Sequence, residues 1–393
     1  MNANNLCQWL GLAILGASGL QAEIHESSPL FTRISQTAVI PAEVSGHGLF
    51  VSVMINGQGP FRMQVDTGCT YMVVSPEVAA AVEARSTGAA EEDAETVNGL
   101  GDTIAVPRVL IDTVTLGGVE FEGVEAGVVP LDLQSKVDSR QLDGLLGYTL
   151  FSDLFFAVDF PGQHLVLSKG WPKDVPAVRA ELPIHESSEV PFIPVTVQGR
   201  DLEVMIDTGA SDRIHLPPEE TTGLEWKVEP RPGLLVAAAG EVGQEKEGRL
   251  SGMLELGSVR QQDPVVGVSG GSPNLGVGLL HYFCLVFHEA EGKFWLCSDE
   301  TGLIPSPPDL TVGVSMFADH GGWRVAGIIP DSPAEQAAIA KGDLLTQIEG
   351  RPAVEWTRDQ VQAWMDSHAT MTVRVASAAG ERDLTLRVWA LVP

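Results

Sequence analysis

Phe61-Arg-Met-Gln-Val65 runs directly into Asp66-Thr67-Gly68-Cys69, and Leu202-Glu-Val-Met-Ile206 runs into Asp207-Thr208-Gly209-Ala210-Ser211. The two Asp-Thr-Gly tripeptides lie 141 residues apart, about one domain length. A single Asp-Thr-Gly after a strand reads as an ordinary turn, because Asp and Gly are common turn formers. Two copies with matched flanks indicate a duplicated lobe that brings two carboxylates face to face.

The repeat extends outward from both tripeptides. Ahead of each lies a strand with a turn: Gly48-Leu-Phe-Val-Ser-Val-Met-Ile-Asn56-Gly57, and Val190-Pro-Phe-Ile-Pro-Val-Thr-Val-Gln198-Gly199. The alternation Val51, Val53, Ile55 suits a half-buried strand, and Asn56-Gly57 suits a tight hairpin turn. Behind each lies a Gly-containing hairpin candidate, Val97 to Asp102 and Ala239 to Gly243. A second strand with a turn follows, Val114-Thr-Leu-Gly117-Gly118 and Met253-Leu-Glu-Leu-Gly257. Each copy closes on an apolar-apolar-Gly element and an aromatic run, Gly144-Leu-Leu-Gly147-Tyr-Thr-Leu-Phe151 and Leu275-Gly-Val-Gly278-Leu-Leu-His-Tyr282.

Residues 45 to 300 resemble a single-chain, two-lobed bacterial aspartic peptidase built from retropepsin-like halves, of the pepsin/retropepsin clan. The resemblance implies a mainly β fold: two homologous lobes, at 35–175 and 176–300, with a cleft between them. It implies that Asp66 and Asp207 form the catalytic pair. Thr67 and Thr208 would bond across the lobe interface, and Gly68 and Gly209 would let the backbone approach closely. Two adjacent carboxyls cannot both ionise cheaply, so they share one proton and titrate as a unit. Such a pair divides general base and general acid work on a water and a carbonyl, with no cofactor.

Three positions depart from the family pattern. Cys69 stands where Ser, Thr or Ala is usual, and a thiol is a poor donor. Ala210, its counterpart, donates nothing from its side chain. A dyad without these hydroxyl bonds is expected to work at mildly acidic to near-neutral pH. The tyrosines are Tyr71, Tyr148 and Tyr282, so none serves a flap near residues 97 to 106. The expected cover is instead the Gly99 and Gly101 backbone, closing on bound peptide as a lid.

Beyond the Pro-rich stretch 301–309, read as a linker, residues 310–393 resemble a bacterial PDZ domain. The motif runs Val325-Ala-Gly-Ile-Ile-Pro330-Asp-Ser-Pro-Ala334, then Gly342-Asp343-Leu-Leu-Thr-Gln-Ile-Glu-Gly350. Ser332 is placed as a helix N-cap with Pro333 at the first helical position. A second helix is expected near Gln360 to Ser367, with closing strands at Met371–Val375 and Arg382–Val388. The resemblance puts a carboxylate-binding loop at Val312, Gly313 and Val314, where backbone N–H groups would receive a peptide C-terminus. The alternative is a PDZ domain that only packs against the lobes.

Residues 1–22 have an apolar core, Leu10 to Leu20, and end on small residues before Glu23, the pattern of a cleaved signal peptide. The n-region has no Lys or Arg, which leaves an uncleaved anchor as the other reading. The expected location is the periplasm or the exterior. There Cys284 and Cys297, flanking a predicted hairpin, form either a disulfide or a pair of buried thiols. Net charge is −28, which disfavours nucleic acid and anionic membrane as partners. The nine histidines show no metal-ligand spacing, so no metal is expected. With both lobes in one chain, the expected state is a monomer acting on peptide or protein substrates. Two alternatives of other classes are a catalytically silent peptide-binding protein of this fold and a PDZ scaffold.

Overall fold

The computed structural model describes residues 29–87, 95–97, 103–185, 189–238, 241–300 and 302–393. Residues 1–22, with the signal-peptide reading, lie outside the described residues. Among the described residues no helix is long and apolar enough to cross a membrane.

The alternating apolar residues become strands that bury one face. Gly48–Ile55 and Gln58–Asp66 form a hairpin about Asn56 (φ 47°) and Gly57 (φ 73°), both in the left-handed region that a two-residue primed turn requires. Asn56 also fixes its surroundings: its Oδ1 accepts from Thr113 N–H at 2.9 Å and its Nδ2 donates to Val82 O at 2.9 Å. The second copy repeats this as Phe192–Val197 and Arg200–Ile206 about Gln198 (φ 53°) and Gly199 (φ 79°).

In each lobe an inner strand runs parallel to the one that ends at Asp-Thr-Gly. Gly144–Gly147 lies beside Gln58–Asp66, with Gly147 opposite Asp66. Asn274–Leu275 lies beside Arg200–Ile206, with Leu275 opposite Ile206. Tyr148 N–H then bonds Cys69 O (2.8 Å), and Val277 N–H bonds Ala210 O (2.8 Å). The glycine matching Gly147 is therefore Gly276, not Gly278. The second copy of the apolar-apolar-Gly element reads Asn274-Leu275-Gly276, shifted from the frame chosen on hydrophobicity because Asn274 is polar.

A six-stranded sheet joins the lobes. Phe155–Asp159 from the first pairs antiparallel with Cys284–His288 from the second. One core cluster holds residues of both lobes, including Leu49, Val65, Leu146, Phe156, Ile206, Leu275 and Phe287. In the hairpin that the second lobe gives this sheet, Cys284 lies opposite Cys297, as expected of hairpin partners. Both are free thiols, so the disulfide alternative is not realised in this structure.

Glu95–Val97 and Thr103–Ala105 pair antiparallel, as a flap hairpin would; Gly99 and Gly101 lie outside the described residues. The second lobe has a longer counterpart, Trp226–Ala238 with Glu241–Leu250, which carries three register shifts. The stretch read as a linker is tied down: Leu303–Ile304 pairs parallel with Val259–Gln262, and Asp309–Thr311 pairs with Trp389–Val392.

The C-terminal region is a sheet of Val314–Asp319, Gly322–Ile328, Leu344–Ile348, Thr370–Ser377 and Gly380–Arg387 with two helices. Ser332 Oγ accepts from Glu335 N–H to cap Pro333–Gln336, and Thr357 with Gln360 forms a capping box on Arg358–Ser367. This region sits on the second lobe through a buried patch of Val265, Ile329, Leu391 and Val392. Arg231 fastens it further, donating to Ala390 O (3.1 Å) with its guanidinium over the Trp389 ring (4.8 Å).

Candidate active site

The two Asp-Thr-Gly loops interlock. Thr67 N–H donates to Thr208 Oγ1 (3.0 Å), and Thr208 N–H donates to Thr67 Oγ1 (3.1 Å). Each hydroxyl then donates onward across the interface, Thr67 to Ile206 O (2.5 Å) and Thr208 to Val65 O (2.7 Å). Both threonines are buried, so four polar groups that water cannot reach satisfy one another.

This grip brings the carboxyls together. A Cβ on Gly68 would sit 2.4 Å from Asp207 Cγ, and one on Gly209 would sit 2.4 Å from Asp66 Cγ. Each aspartate therefore lies directly over the opposite loop's glycine, and no other residue leaves that room. Each carboxyl thus acts on the other's hold on its proton. Asp66 Oδ1 accepts from Gly68 N–H (3.0 Å), while Asp207 Oδ1 accepts from Gly209 N–H (2.8 Å) and Ala210 N–H (3.0 Å).

Burial, and then the charge of Asp207, push the Asp66 carboxyl well above its ordinary value. Burial also raises Asp207, but the Gly209 and Ala210 amides oppose the rise. The pair thus holds one proton well above the pH at which an isolated carboxyl would lose it. The Cys69 thiol takes no part in this: it donates to Tyr71 O (3.1 Å), and burial with the Asp66 charge pushes it up and away from thiolate.

Sequence reasoning did not single out Gln64, Asp212, His215 or Glu245. Gln64 Nε2 donates to His47 O (2.6 Å) and reaches Gly209 O (3.4 Å), a further tie between the lobes. His215 Nδ1 lies 2.8 Å from Glu245 Oε1, and its Nε2 lies 3.0 Å from Gly270 O. Only the recurrence of the lobe, aligned residue by residue, could have drawn attention to these polar positions.

Far from the dyad in sequence, the loop at Val312, Gly313 and Val314 is strictly built. Gly313 has φ +89°, and a Cβ there would fall 2.1 Å from Ser332 Cβ. Gly313 N–H donates to Thr311 Oγ1 (3.0 Å), its carbonyl accepts from Ile329 N–H (3.0 Å), and Val312 O accepts from Ala334 N–H (3.0 Å). Val312 and Val314 bury their side chains. Among the described residues the adjoining strand Val314–Asp319 has one strand partner, Gly322–Ile328. It meets the lobes through Ser315 Oγ, which accepts from Leu235 N–H (2.9 Å), and packs beside the helix Asp132–Asp138.

Comparison with known families matches residues 51–150 to the aspartyl protease model and residues 324–376 to the PDZ domain model. No curated protein matches the chain. Among solved structures, the HtrA3 PDZ domain bound to a phage-derived ligand (FGRWV) is 17% identical, over 22% of this chain and 89% of that one, with a TM-score of 0.20. The chain is thus a mainly β protein whose residues 51–150 match the aspartyl protease model and whose residues 324–376 match the PDZ domain model.

Proposed function

We propose that this protein is an aspartic endopeptidase that hydrolyses peptide bonds with the Asp66/Asp207 pair. The observation that carries the reading is the reciprocal seating of each carboxyl on the other loop's glycine, locked by the Thr67–Thr208 bonds. In the reaction, a water held between the carboxyls gives a proton to the ionised member as its oxygen bonds to the scissile carbonyl carbon. The protonated member gives its proton to the carbonyl oxygen, which yields a neutral diol. The diol then collapses: the C–N bond breaks and the nitrogen takes the proton that came from water. One diol hydroxyl returns its proton to the other carboxyl. One water has been added, and the dyad again holds one proton.

The PDZ domain, in this proposal, captures peptide C-termini at Val312, Gly313 and Val314 and delivers chain ends to the protease lobes. The contacts of Val314–Asp319 with Leu235 and with Asp132–Asp138 support that role, since a peptide on this strand would lie against the lobes.

Digestion of a mixed peptide library from about pH 3 to about pH 8 tests the catalytic half. Wild type is expected to cut, and Asp66→Asn and Asp207→Asn are each expected to lose at least about a thousandfold in kcat/KM. A wild type that binds peptides and cuts none would replace the enzyme with the silent binder. Peptides with a free C-terminal carboxylate should bind the PDZ domain in preference to their amidated forms, and equal binding would remove C-terminal capture.

A further inference from the structure

The two lobes act as controls for each other. In the first, Val73 lies opposite Gly127 on a parallel neighbour, and Gly127 lies opposite Arg108 on the next strand. In the second, His215 lies opposite Gly267, and Gly267 lies opposite Glu247. Val73 therefore matches His215. Two residues before the outer partners, Val106 matches Glu245. Tyr71 and Asp212 each stand five residues after their aspartate. The glycines confirm the alignment. A Cβ on Gly127 would meet Val106 Cγ1 (2.7 Å) and Tyr71 Cε2 (2.8 Å), and one on Gly267 would meet Glu245 Oε1 (2.3 Å).

The site behind the Asp66 loop is thus apolar: Tyr71, Val73 and Val106 pack with Phe50 and Leu142. The same three positions behind the Asp207 loop hold Asp212, His215 and Glu245. His215 and Glu245 are each 4% exposed. Burying such groups is costly, and the first lobe shows that the fold accepts an apolar set there. What the polar set adds is an imidazolium–carboxylate pair on one side of the dyad.

The chemistry of the cluster fixes that charge. Oxygens of Asp212 and Glu245 and a ring nitrogen of His215 lie within 4.8 Å of one another. Both ring nitrogens of His215 face acceptors, Glu245 Oε1 and the Gly270 carbonyl. A neutral imidazole can donate to one of them only, so the arrangement calls for imidazolium. Burial opposes the charge, but the hydrogen bond and charge of Glu245 outweigh it and hold the imidazole above its ordinary 6.5. Asp212, raised to about 8 by burial and then by Glu245, keeps its proton. The charged and titratable groups that act on His215 are therefore Asp212 from its own segment, Glu245 from the neighbouring hairpin, and Asp207. The cation nearest the first lobe's apolar site, Arg108, lies 3.4 Å over the Tyr71 ring and faces Glu125 at 3.7 Å.

Resting on the peptidase reading, we propose that Asp212, His215 and Glu245 are positioning residues that break the symmetry of the dyad. They make Asp207 the ionised member that takes the proton from water, and leave Asp66 as the member that holds the proton. The imidazolium attracts negative charge to the second lobe, where the Gly209 and Ala210 amides already receive Asp207.

The test is a titration of the imidazole carbons of the full chain by NMR, with His215 assigned by its loss in His215→Gln. His215 is expected to titrate above 6.5. Asp207→Asn should lower that value by more than Asp66→Asn does, because coupling is reciprocal and the charge it feels resides on Asp207. Equal shifts in the two variants, or titration below 6.5, would overturn the proposal. In kinetics, His215→Gln should move the acidic limb of kcat/KM upward by about half to one pH unit; an unmoved limb overturns it as well. A stoichiometric metal in the purified wild type that His215→Gln loses would assign the cluster to a metal instead. The titration needs no turnover. A wild type that cuts nothing but shows unequal coupling would therefore remove the peptidase reading and still support the charge asymmetry.

Discussion

At the scale of single residues, the site depends on groups that have no substitute. Thr67 Oγ1 accepts one buried N–H and donates to one buried carbonyl, both on the other lobe. Thr67→Val keeps the shape and strands both partners. The expected loss is about 2–6 kcal/mol of unfolding free energy, since each of the two buried unsatisfied groups costs about 1–3 kcal/mol. Thr67→Ser, which keeps the hydroxyl, should retain most of the stability. Urea titration of the three proteins decides this: a Val variant as stable as the Ser variant would show that the threonine bonds contribute nothing net. The aspartates, threonines and glycines were legible because they are contiguous and occur twice. His215 and Glu245 were not, because they are 30 residues apart and meet only through strand register. Asn274 hid the true partner of Gly147 for a related reason: its place in the repeat is set by hydrogen bonds, not by hydrophobicity.

At the scale of elements, turn chemistry carried the reading. Asn56-Gly57 announced its hairpin, and Ser332-Pro333 announced a helix start. The 301–309 stretch reads as a break because prolines dominate it. Yet proline at a sheet margin is compatible with short edge strands, and Leu303–Ile304 forms one. The loop at Gly313 and the cap at Ser332 are one unit, since Ser332 occupies the space that a side chain on residue 313 would need. Ser332→Ala removes the cap on Pro333–Gln336 and should cost about 1 kcal/mol. Gly313→Ala should cost more, because its φ of +89° strains any other residue and its Cβ would collide with Ser332. It should also weaken peptide binding, whereas Ser332→Ala leaves the loop backbone in place. Thermal unfolding with peptide titration separates the two, and a Gly313→Ala protein that binds normally would take the loop out of peptide capture.

At the scale of the molecule, buried acids set how stability responds to pH. Asp66 and Asp207 are raised by burial, Asp212 to about 8, and Glu289 to about 7. Glu247 is raised by burial and then by Asp309, a residue of the strand that leads into the PDZ domain. A carboxyl raised in the folded state contributes stability that is complete below its unfolded value and is lost as pH climbs through the folded one. His47 and His281, lowered chiefly by burial, work the other way, adding stability as pH rises toward 6.5. Below about 6.5 the two sets offset in part. Above it the carboxyls act unopposed, and His215, raised like them, joins them. Thermal stability should therefore fall most steeply between about pH 6.5 and about pH 8. Glu247→Gln keeps an acceptor for Leu234 N–H and removes the repulsion across the junction with Asp309. Its melting temperature should exceed that of wild type by a margin that widens across the same range. A wild-type melting temperature that rises from pH 6.5 to pH 8 would contradict the linkage, and a constant margin would place the alkaline loss elsewhere than the PDZ junction.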